Sequence, residues 1–311
     1  MTPENEKLFG EVLTRLKAVL PAAEDETDWT RPAFRWVRRT CLGTTVGRLE
    51  PVEKFARVEL DDLLYIEGQK AELLANTEQF VKGLPANNVL LTGARGTGKS
   101  SLIRGCLTRF YDEGLRLIEI DKDDLRDLAD IVRITARRPE RFILFCDDLS
   151  FELGEGGYKA LKAALDGSVA AGGDNLIVYA TSNRRHLLPE PVSDNAQAVL
   201  DDEGELHPGE VLEEKLSLAE RFGLWLSFYP FSQDKYLAAV FAALRRFGVE
   251  EAVVTSEAVR LEALQFALQR GGRSGRVALQ YARNRAGSEK LNAMRKLKCP
   301  IVPSPKLLLP L

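Results

Sequence analysis

The residues best suited to chemistry lie in one eight-residue run, Gly93–Ser100, which reads GARGTGKS. It matches the pattern GxxxxGK(S/T), in which glycines let successive backbone N–H groups face a phosphate and a helix N-terminus adds partial positive charge. Lys99 would reach the β- and γ-phosphates, and the Ser100 hydroxyl would bind Mg²⁺. The spacing therefore predicts a site for ATP and Mg²⁺ rather than a turn that only bends the chain. The residues assigned to it are Gly93, Ala94, Arg95, Gly96, Thr97, Gly98, Lys99, Ser100 and Ser101.

Two further apolar runs end in polar residues of the kind that hydrolysis requires. Arg141–Cys146 is followed by Asp147 and Asp148, and the run NLIVYATSN ends at Asn183. In open α/β sheets, ligands bind at the carboxyl ends of the strands. Asp147 is then the Mg²⁺ partner, Asp148 polarises an attacking water, and Asn183 holds this water or touches the γ-phosphate. The structural alternatives are an Asp pair that caps a turn and an Asn that forms one.

These residues need a fold that brings strand ends together, and the pattern after residue 60 predicts one. Short apolar runs such as NNVLL, RLIEI and FILFC alternate with longer amphipathic stretches, which indicates a parallel sheet with helices on both faces. After Pro230, three helical stretches predict a smaller helical domain. A Pro-rich and extended tail follows it.

The N-terminal segment is expected to be mainly helical. An amphipathic helix at GEVLTRLKAVL ends at Pro21. The stretch RPAFRWVRRT predicts a second helix that buries Phe34 and Trp36 while its arginines face solvent. Arginines interleaved with aromatic residues can also bind nucleic acid, so Arg31–Arg39 is an alternative contact for such a partner.

Composition excludes several other classes of protein. The 311 residues carry a net charge of −3 with 29% charged residues, whereas a chain-wide polyanion binder would be strongly basic. The four cysteines are far apart and there are two histidines, which argues against a zinc ribbon, a disulfide framework or a His-rich metal site. The sequence shows neither a signal peptide nor an apolar run that could span a membrane, so we expect a cytoplasmic protein.

Over about residues 58–286, the chain resembles the AAA+ superfamily of P-loop ATPases. Gly93–Ser100 corresponds to its Walker A motif, Phe142–Asp148 to its Walker B motif and Asn183 to its sensor-1 residue. The resemblance implies an α/β sheet of strand order 5-1-4-3-2 and a helical lid. Together with the loss of strand pattern after Pro230, this gives expected domains of 1–57 (N-terminal helical segment), 58–230 (nucleotide-binding domain), 231–298 (helical lid) and 299–311 (extended tail).

The same resemblance assigns roles outside these motifs. Tyr65 and Ile66 would pack on the adenine. Arg221 would be an arginine finger that acts in trans, which implies a homo-oligomer. Arg276 would be the sensor-2 residue, with Arg273 as the second choice. Longer strings, among them RPERFILFCDDLSFE and ATSNRRHLLPE, are similar to one bacterial family, domain of unknown function 815, which brings no cellular role.

Two departures from the superfamily pattern bear on activity. The usual Walker B motif ends Asp-Glu, and the shorter Asp148 side chain predicts slow hydrolysis. The stretch 121–132, DKDDLRDLADIV, lacks the aromatic residue and the glycine of a pore loop, which disfavours threading of a polypeptide. An acidic insertion at 190–214 would be a solvated loop or a partner site, and residues 184–186 would meet phosphate, a neighbouring subunit or solvent.

The sequence leaves three functions open. The first is an ATPase that hydrolyses ATP–Mg²⁺ to drive a conformational or assembly change. The second is an ATP-gated adaptor or loader for a protein or nucleic-acid partner, with little turnover. The third, a small-molecule kinase, is disfavoured by the helical domain and by the sensor-like Asn183 and Arg276.

Overall fold

The computed structural model of the chain describes residues 3–19, 27–41, 43–149, 156–165, 175–183, 199–200, 206–207, 218 and 220–298. The chain divides into two compact units. The first consists of Met1–Ala94 and Gly98–Tyr229, and the second of Arg95–Thr97 and Pro230–Leu311. Residues 184–186 and the 299–311 tail lie outside the described residues, as does most of the acidic insertion. The part of the insertion that is described belongs to a two-stranded antiparallel ribbon, Val199–Leu200 with Leu206–His207.

A seven-stranded sheet forms the centre of the first unit. Its strands are β1 (Ala33–Cys41), β2 (Thr44–Pro51), β3 (Val89–Gly93), β4 (Leu115–Ile120), β5 (Arg141–Cys146), β6 (Leu176–Ser182) and β7 (Leu224–Phe228). The spatial order is β2-β1-β4-β5-β6-β3-β7, and every pairing except β1–β2 is parallel. Counted from β3, the last five strands along the chain follow the expected order 5-1-4-3-2. This confirms the predicted α/β class, and β1 and β2 extend the sheet beyond that core.

Helices cover both faces of the sheet. The helices of the first unit that pack on the sheet include α2 (Glu67–Val81), α3 (Lys99–Phe110), α4 (Leu128–Thr135) and α5 (Gly156–Leu165), and an exposed helix, α1 (Pro3–Val19), precedes them in the chain. One core joins α2 and α3 to Leu91 and Phe145, and a second joins α4 and α5 to Leu90 and Leu144. Neighbouring residues of one strand are therefore buried on opposite faces, which is why these strands read as continuous apolar runs.

The β1–β2 hairpin corrects the helix that the sequence predicts over residues 31–40. Phe34 and Trp36 are buried, while Arg35 and Arg39 lie on the opposite face of β1. The buried residues are two apart, which is the period of a strand and not of a helix. The N-terminal segment is therefore helical at α1 but extended from Ala33 to Pro51.

The second unit contains four helices within its described residues, one more than the three stretches predicted. They are α6 (Gln233–Arg246), α7 (Glu251–Val254), α8 (Glu257–Gln269) and α9 (Gly275–Lys298). Ser232 and Ser256 cap α6 and α8, because each side chain accepts the backbone N–H three residues on. The buried Tyr236 hydroxyl donates to the carbonyl oxygen of Ala263 at 2.9 Å and ties α6 to α8. None of the described helices is long and apolar enough to cross a membrane.

Candidate nucleotide-binding site

The phosphate-loop sequence joins the buried strand β3 to α3 through glycines in left-handed backbone conformations. Gly93 has a φ of +126°, and a Cβ there would overlap the carbonyl oxygen of Phe228 on β7. Gly98 has a φ of +104° and caps α3, with its carbonyl oxygen accepting the N–H of Leu102 at 2.8 Å. Glycine is therefore required at Gly93 by backbone conformation and close approach, and at Gly98 by backbone conformation.

Lys99 connects this loop to the end of β6. Its side chain is buried, and Nζ donates to the carbonyl oxygens of Gly93 at 2.8 Å and Ala94 at 2.9 Å. The third acceptor is Oδ1 of Asn183 at 3.1 Å. Three oxygen acceptors match the three donors of an ammonium group and offset the cost of burying its charge.

The other loop residues differ in their exposure. Arg95 is exposed, whereas Thr97 is buried. The backbone N–H of Ala94 donates to the carbonyl oxygen of Phe228 at 3.3 Å, which anchors the loop to β7. Ser101 is half-buried in the first turn of α3, directly after Ser100.

The two carboxylates after β5 are held by groups from neighbouring elements. Ser100 Oγ and Thr181 Oγ1 both donate to Asp147 Oδ1, each at 2.6 Å. The side-chain amide of Asn183 donates to Asp148 Oδ1 at 2.6 Å. Asp148 has a φ of +55°, a left-handed conformation in which Asp is several times more frequent than most residues. Residues from three separate stretches of sequence thus converge at the carboxyl ends of the central strands.

The oxygen atoms of Ser100 and Asp147 suit Mg²⁺. They offer one hydroxyl and one carboxylate, which Mg²⁺ accepts when phosphate oxygens and waters complete its coordination. Within the described ranges, no cluster of three or more His, Cys, Asp or Glu side chains could hold a metal ion. The residues therefore fit a metal that is bound together with a nucleotide.

The thiol beside these carboxylates is not a nucleophile. Cys146, the last residue of β5, is buried. Burial, reinforced by nearby carboxylates such as Asp121 and Asp147, raises the pKa of this thiol to about 12. Because only the thiolate attacks, Cys146 is inert near neutral pH.

Tyr65 and Ile66 lie immediately before α2. Ile66 is buried, and its Cδ1 lies 3.5 Å from the position that a Cβ of Gly98 would occupy, so Ile66 borders the loop. Tyr65 has a φ of +66°, and its N–H donates to Glu67 Oε1 at 3.2 Å. Bulky residues in this conformation are rare, and such strain clusters at ligand sites. Contact of Tyr65 and Ile66 with adenine stays a prediction.

The three arginines assigned by resemblance lie in different units. Arg221 is in the first unit, in a turn before β7, and its backbone N–H donates to the carbonyl oxygen of Leu218 at 3.2 Å. Arg276 is in the second unit, in the first turn of α9. Its backbone N–H donates to the carbonyl oxygen of Gly96, which belongs to the same unit, at 3.2 Å. Arg273 precedes α9 and accepts the N–H of Phe231 with its carbonyl oxygen at 3.2 Å. Their roles toward a nucleotide stay predictions.

Thr181 is the site residue that the sequence analysis missed. It is buried in β6, two residues before Asn183, and its hydroxyl bonds Asp147 and accepts the N–H of Asp148 at 2.9 Å. A polar residue inside a buried strand is the signal that could have found it, because buried polar groups need partners.

The arginines of β1 have carboxylate partners in the same chain. Their ion pairs are Arg35–Glu119 (2.9 Å), Arg38–Asp127 (3.3 Å) and Arg39–Glu50 (2.8 Å). Phe34 and Trp36 are buried in the sheet core, so they do not present faces on which bases could stack. The hairpin therefore lacks the exposed aromatic residues on which the nucleic-acid interpretation of Arg31–Arg39 depended.

The fold and the site together define a class of protein. In a sheet of core order 5-1-4-3-2, β3 lies between β6 and β7 and leads into the phosphate loop. Asn183 follows the neighbouring strand β6, and Asp147 and Asp148 follow β5 beside it. This is the organisation of an AAA+ P-loop ATPase. The model of the family described as Protein of unknown function (DUF815) matches residues 30–289, and the chain belongs to this family.

Solved structures share the fold at low sequence identity. A point variant of Thermotoga maritima RuvB is 18% identical, with a TM-score of 0.52 over 76% of this chain and 66% of that chain. Aeropyrum pernix ORC1, in complex with DNA, is 15% identical, with a TM-score of 0.51 over 78% of this chain and 66% of that chain. The matched region thus spans slightly less than two thirds of each of these proteins. Curated protein sequences gave no match.

Proposed function

We propose that the protein is a cytoplasmic ATPase that binds ATP with Mg²⁺ and hydrolyses it slowly to drive a conformational or assembly change. The observation that supports this most is the position of Asn183, which accepts from Lys99 at 3.1 Å and donates to Asp148 at 2.6 Å. One amide thus joins a phosphate-binding cation to a carboxylate. These are the groups that attack of water on a γ-phosphate needs side by side.

The chemistry of each residue suggests its role. The N–H groups of Gly93–Ser100 would cradle the phosphates, and Lys99 would stabilise the charge that develops during phosphoryl transfer. Asp148 would accept a proton from the attacking water, which Asn183 would orient. A Mg²⁺ ion held by Ser100 and Asp147 would neutralise phosphate charge. Asp148 is one methylene shorter than the usual Glu, which supports slow turnover.

Nucleotide binding by wild-type and variant protein tests this function. Wild-type protein is expected to bind ATP in a calorimetric titration and to release phosphate, and Lys99→Ala to lose binding. Lys82→Ala is the matched control. It also removes a lysine, but the Lys82 ammonium is exposed and pairs with Glu78 on α2. Wild-type protein that fails to bind ATP would contradict the proposal, as would full binding by Lys99→Ala.

The proposed cycle extends to Arg276 and Arg221. Arg276 would contact the nucleotide from the helical unit, and Arg221 would complete the site of a neighbouring protomer. Light scattering is expected to show a larger mass with a slowly hydrolysed ATP analogue than without it. Arg221→Ala should lower turnover while ATP binding persists, whereas Arg57→Ala, which removes an exposed arginine, should change neither. If the protein stays monomeric with and without the ATP analogue, Arg221 does not act in trans.

The second candidate is an ATP-gated adaptor or loader. Residues 121–132 favour it, because a 3-10 helix at Lys122–Asp127, capped by Asp121, continues into α4 where a pore loop would otherwise lie. Tight ATP binding with turnover that stays low after addition of DNA or RNA would support this candidate. DNA is the first partner to add, since the similar ORC1 structure is a DNA complex.

A further inference from the structure

Thr181 forms two hydrogen bonds with a single hydroxyl group. It is 2% exposed, and its Oγ1 lies 2.6 Å from Asp147 Oδ1 and 2.9 Å from the backbone nitrogen of Asp148. A backbone N–H can only donate, so the hydroxyl accepts from Asp148 and gives its one proton to Asp147. The chemistry of the groups therefore fixes the direction of both bonds.

The backbone of Thr181 adds a third link to the same turn. Its carbonyl oxygen accepts the N–H of the buried Leu149 at 2.6 Å. Thr181 thus accepts the backbone N–H groups of two consecutive residues, Asp148 through its hydroxyl and Leu149 through its carbonyl oxygen. The φ of +55° at Asp148 is a sparsely populated conformation, which persists only where the surroundings impose it. Thr181 supplies that constraint from the neighbouring strand.

Ser100 and Thr181 differ, although both donate to the same oxygen of Asp147. Ser100 is half-buried at the start of α3, and under the proposed function its hydroxyl would bind Mg²⁺. Thr181 is β-branched and lies in a buried strand, which restricts its rotation about χ1. When the Ser100 hydroxyl no longer donates to Asp147, the Thr181 hydroxyl would keep that carboxylate in place.

We propose that Thr181 is a positioning residue that orients Asp147 toward Mg²⁺ and Asp148 toward the attacking water through one hydroxyl. This inference rests on the proposed function, which gives the two carboxylates those roles. It has a consequence that a purely structural role lacks. Removal of the hydroxyl weakens the part of nucleotide affinity that depends on Mg²⁺ and leaves the metal-free affinity unchanged.

The test compares affinity for a slowly hydrolysed fluorescent ATP analogue with Mg²⁺ and in EDTA. Wild-type protein is expected to bind more tightly with Mg²⁺. Thr181→Val, which keeps the shape but removes the hydroxyl, should lose about ten- to a hundredfold of the Mg²⁺-dependent affinity, as is typical for groups that orient a metal ligand. Thr181→Ser should retain it. Affinity in EDTA should be equal in all three proteins.

Thr77→Val is the matched control. It also removes a fully buried hydroxyl, which donates to the carbonyl oxygen of Leu73 at 2.7 Å, and it should leave the Mg²⁺-dependent affinity unchanged. Thermal melts establish folding, and Thr181→Ala replaces Thr181→Val if the latter does not fold. Equal Mg²⁺-dependent affinities in wild type and the hydroxyl-free variant would overturn the role of Thr181. If wild-type protein binds no nucleotide, the proposed function is refuted, and the role of Thr181 is refuted with it. This outcome is distinct from equal Mg²⁺-dependent affinities, which would refute the role of Thr181 alone.

Discussion

Lys99 donates to Asn183 over 3.1 Å, and this contact fixes which way the Asn183 amide faces. The amide oxygen can only accept and the amide nitrogen can only donate, so the nitrogen is turned to Asp148 at 2.6 Å. The cation of the phosphate loop and the carboxylate after β5 are therefore coupled through a neutral side chain. A substitution that removes the Asn183 amide therefore removes one contact of Lys99 and one of Asp148.

Asn183→Ala is expected to lower ATP turnover about a hundredfold, the usual cost of removing one oriented donor from a reacting centre. ATP affinity should change little, because Lys99 and the loop N–H groups remain. Steady-state phosphate release and calorimetry measure the two effects. Asn292→Ala, which removes an exposed amide on α9, is the control. Turnover at the wild-type rate in Asn183→Ala would refute a role for this amide in the reaction.

Asp148→Asn is expected to bind ATP and to hydrolyse it at least about a hundredfold more slowly, since the general base is lost. Asn adopts left-handed conformations as readily as Asp, so the turn at φ +55° should persist and the variant should stay ATP-bound. Asp148→Glu should lower the melting temperature, because Glu is less suited to that φ. Single-turnover assays measure hydrolysis, with the exposed Asp123→Asn as control. Unchanged turnover in Asp148→Asn would show that Asp148 is not the base.

Much of the fold was predictable because the strands of its core are buried on both faces. Runs such as Phe142–Cys146 read as strands from their continuous apolar character, and GARGTGKS marks the loop that must follow one. The sequence wrongly predicts a helix over residues 31–40, where β1 forms instead, since arginines interrupt the period-two pattern of this strand. Their carboxylate partners, such as Glu119, are distant in sequence, so no local pattern reports them.

The site was predictable only in part, for a similar reason. The spacing of the phosphate-loop motif predicts Lys99, whereas the places of Asp147 and Asn183 after apolar runs predict those two residues. The hydroxyl of Thr181 matters because β6 lies beside β5, and a pairing of strands is not visible in one stretch of sequence. The left-handed backbone of Asp148 likewise depends on this partner across the sheet.

Cys106 and Cys146, the thiols buried within the described residues, are expected to be unreactive in the folded protein. Burial raises the pKa of both Cys106 and Cys146 to about 12, from an ordinary value of 9.0. In a Cys41→Ser/Cys299→Ser variant, iodoacetamide at pH 8 should label neither thiol until urea unfolds the chain, as mass spectrometry would show. Because the folded pKa is the higher one, the stability from these protonated thiols is complete below pH 9 and is lost as pH rises toward 12. Rapid labelling without urea would contradict this burial.

Arg38→Ala is expected to lower the free energy of unfolding by about 1 kcal/mol and to leave DNA affinity unchanged. The Arg38 guanidinium lies 3.3 Å from Asp127 and 4.0 Å from Asp124, which repel each other without it. Urea denaturation measures the loss, and the more exposed Arg39→Ala should cost less. DNA binding that weakens steeply with salt and disappears in Arg38→Ala would instead support the nucleic-acid interpretation.

Gly93→Ala and Gly114→Ala distinguish two reasons for which glycine is required: a positive φ and a close approach of neighbouring backbone. Both residues have positive φ, +126° and +95°, so alanine should cost about 1–2 kcal/mol at either position from backbone conformation alone. A Cβ on Gly114 meets nothing within 4 Å, whereas a Cβ on Gly93 would overlap the carbonyl oxygen of Phe228.

Gly93→Ala must therefore push β3 away from β7 as well, and β3 delivers the phosphate loop. We expect a larger fall in melting temperature for Gly93→Ala than for Gly114→Ala, and loss of ATP binding in Gly93→Ala alone. Equal stability losses, with ATP binding intact in both variants, would mean that the close approach of β3 and β7 does not set the position of the loop.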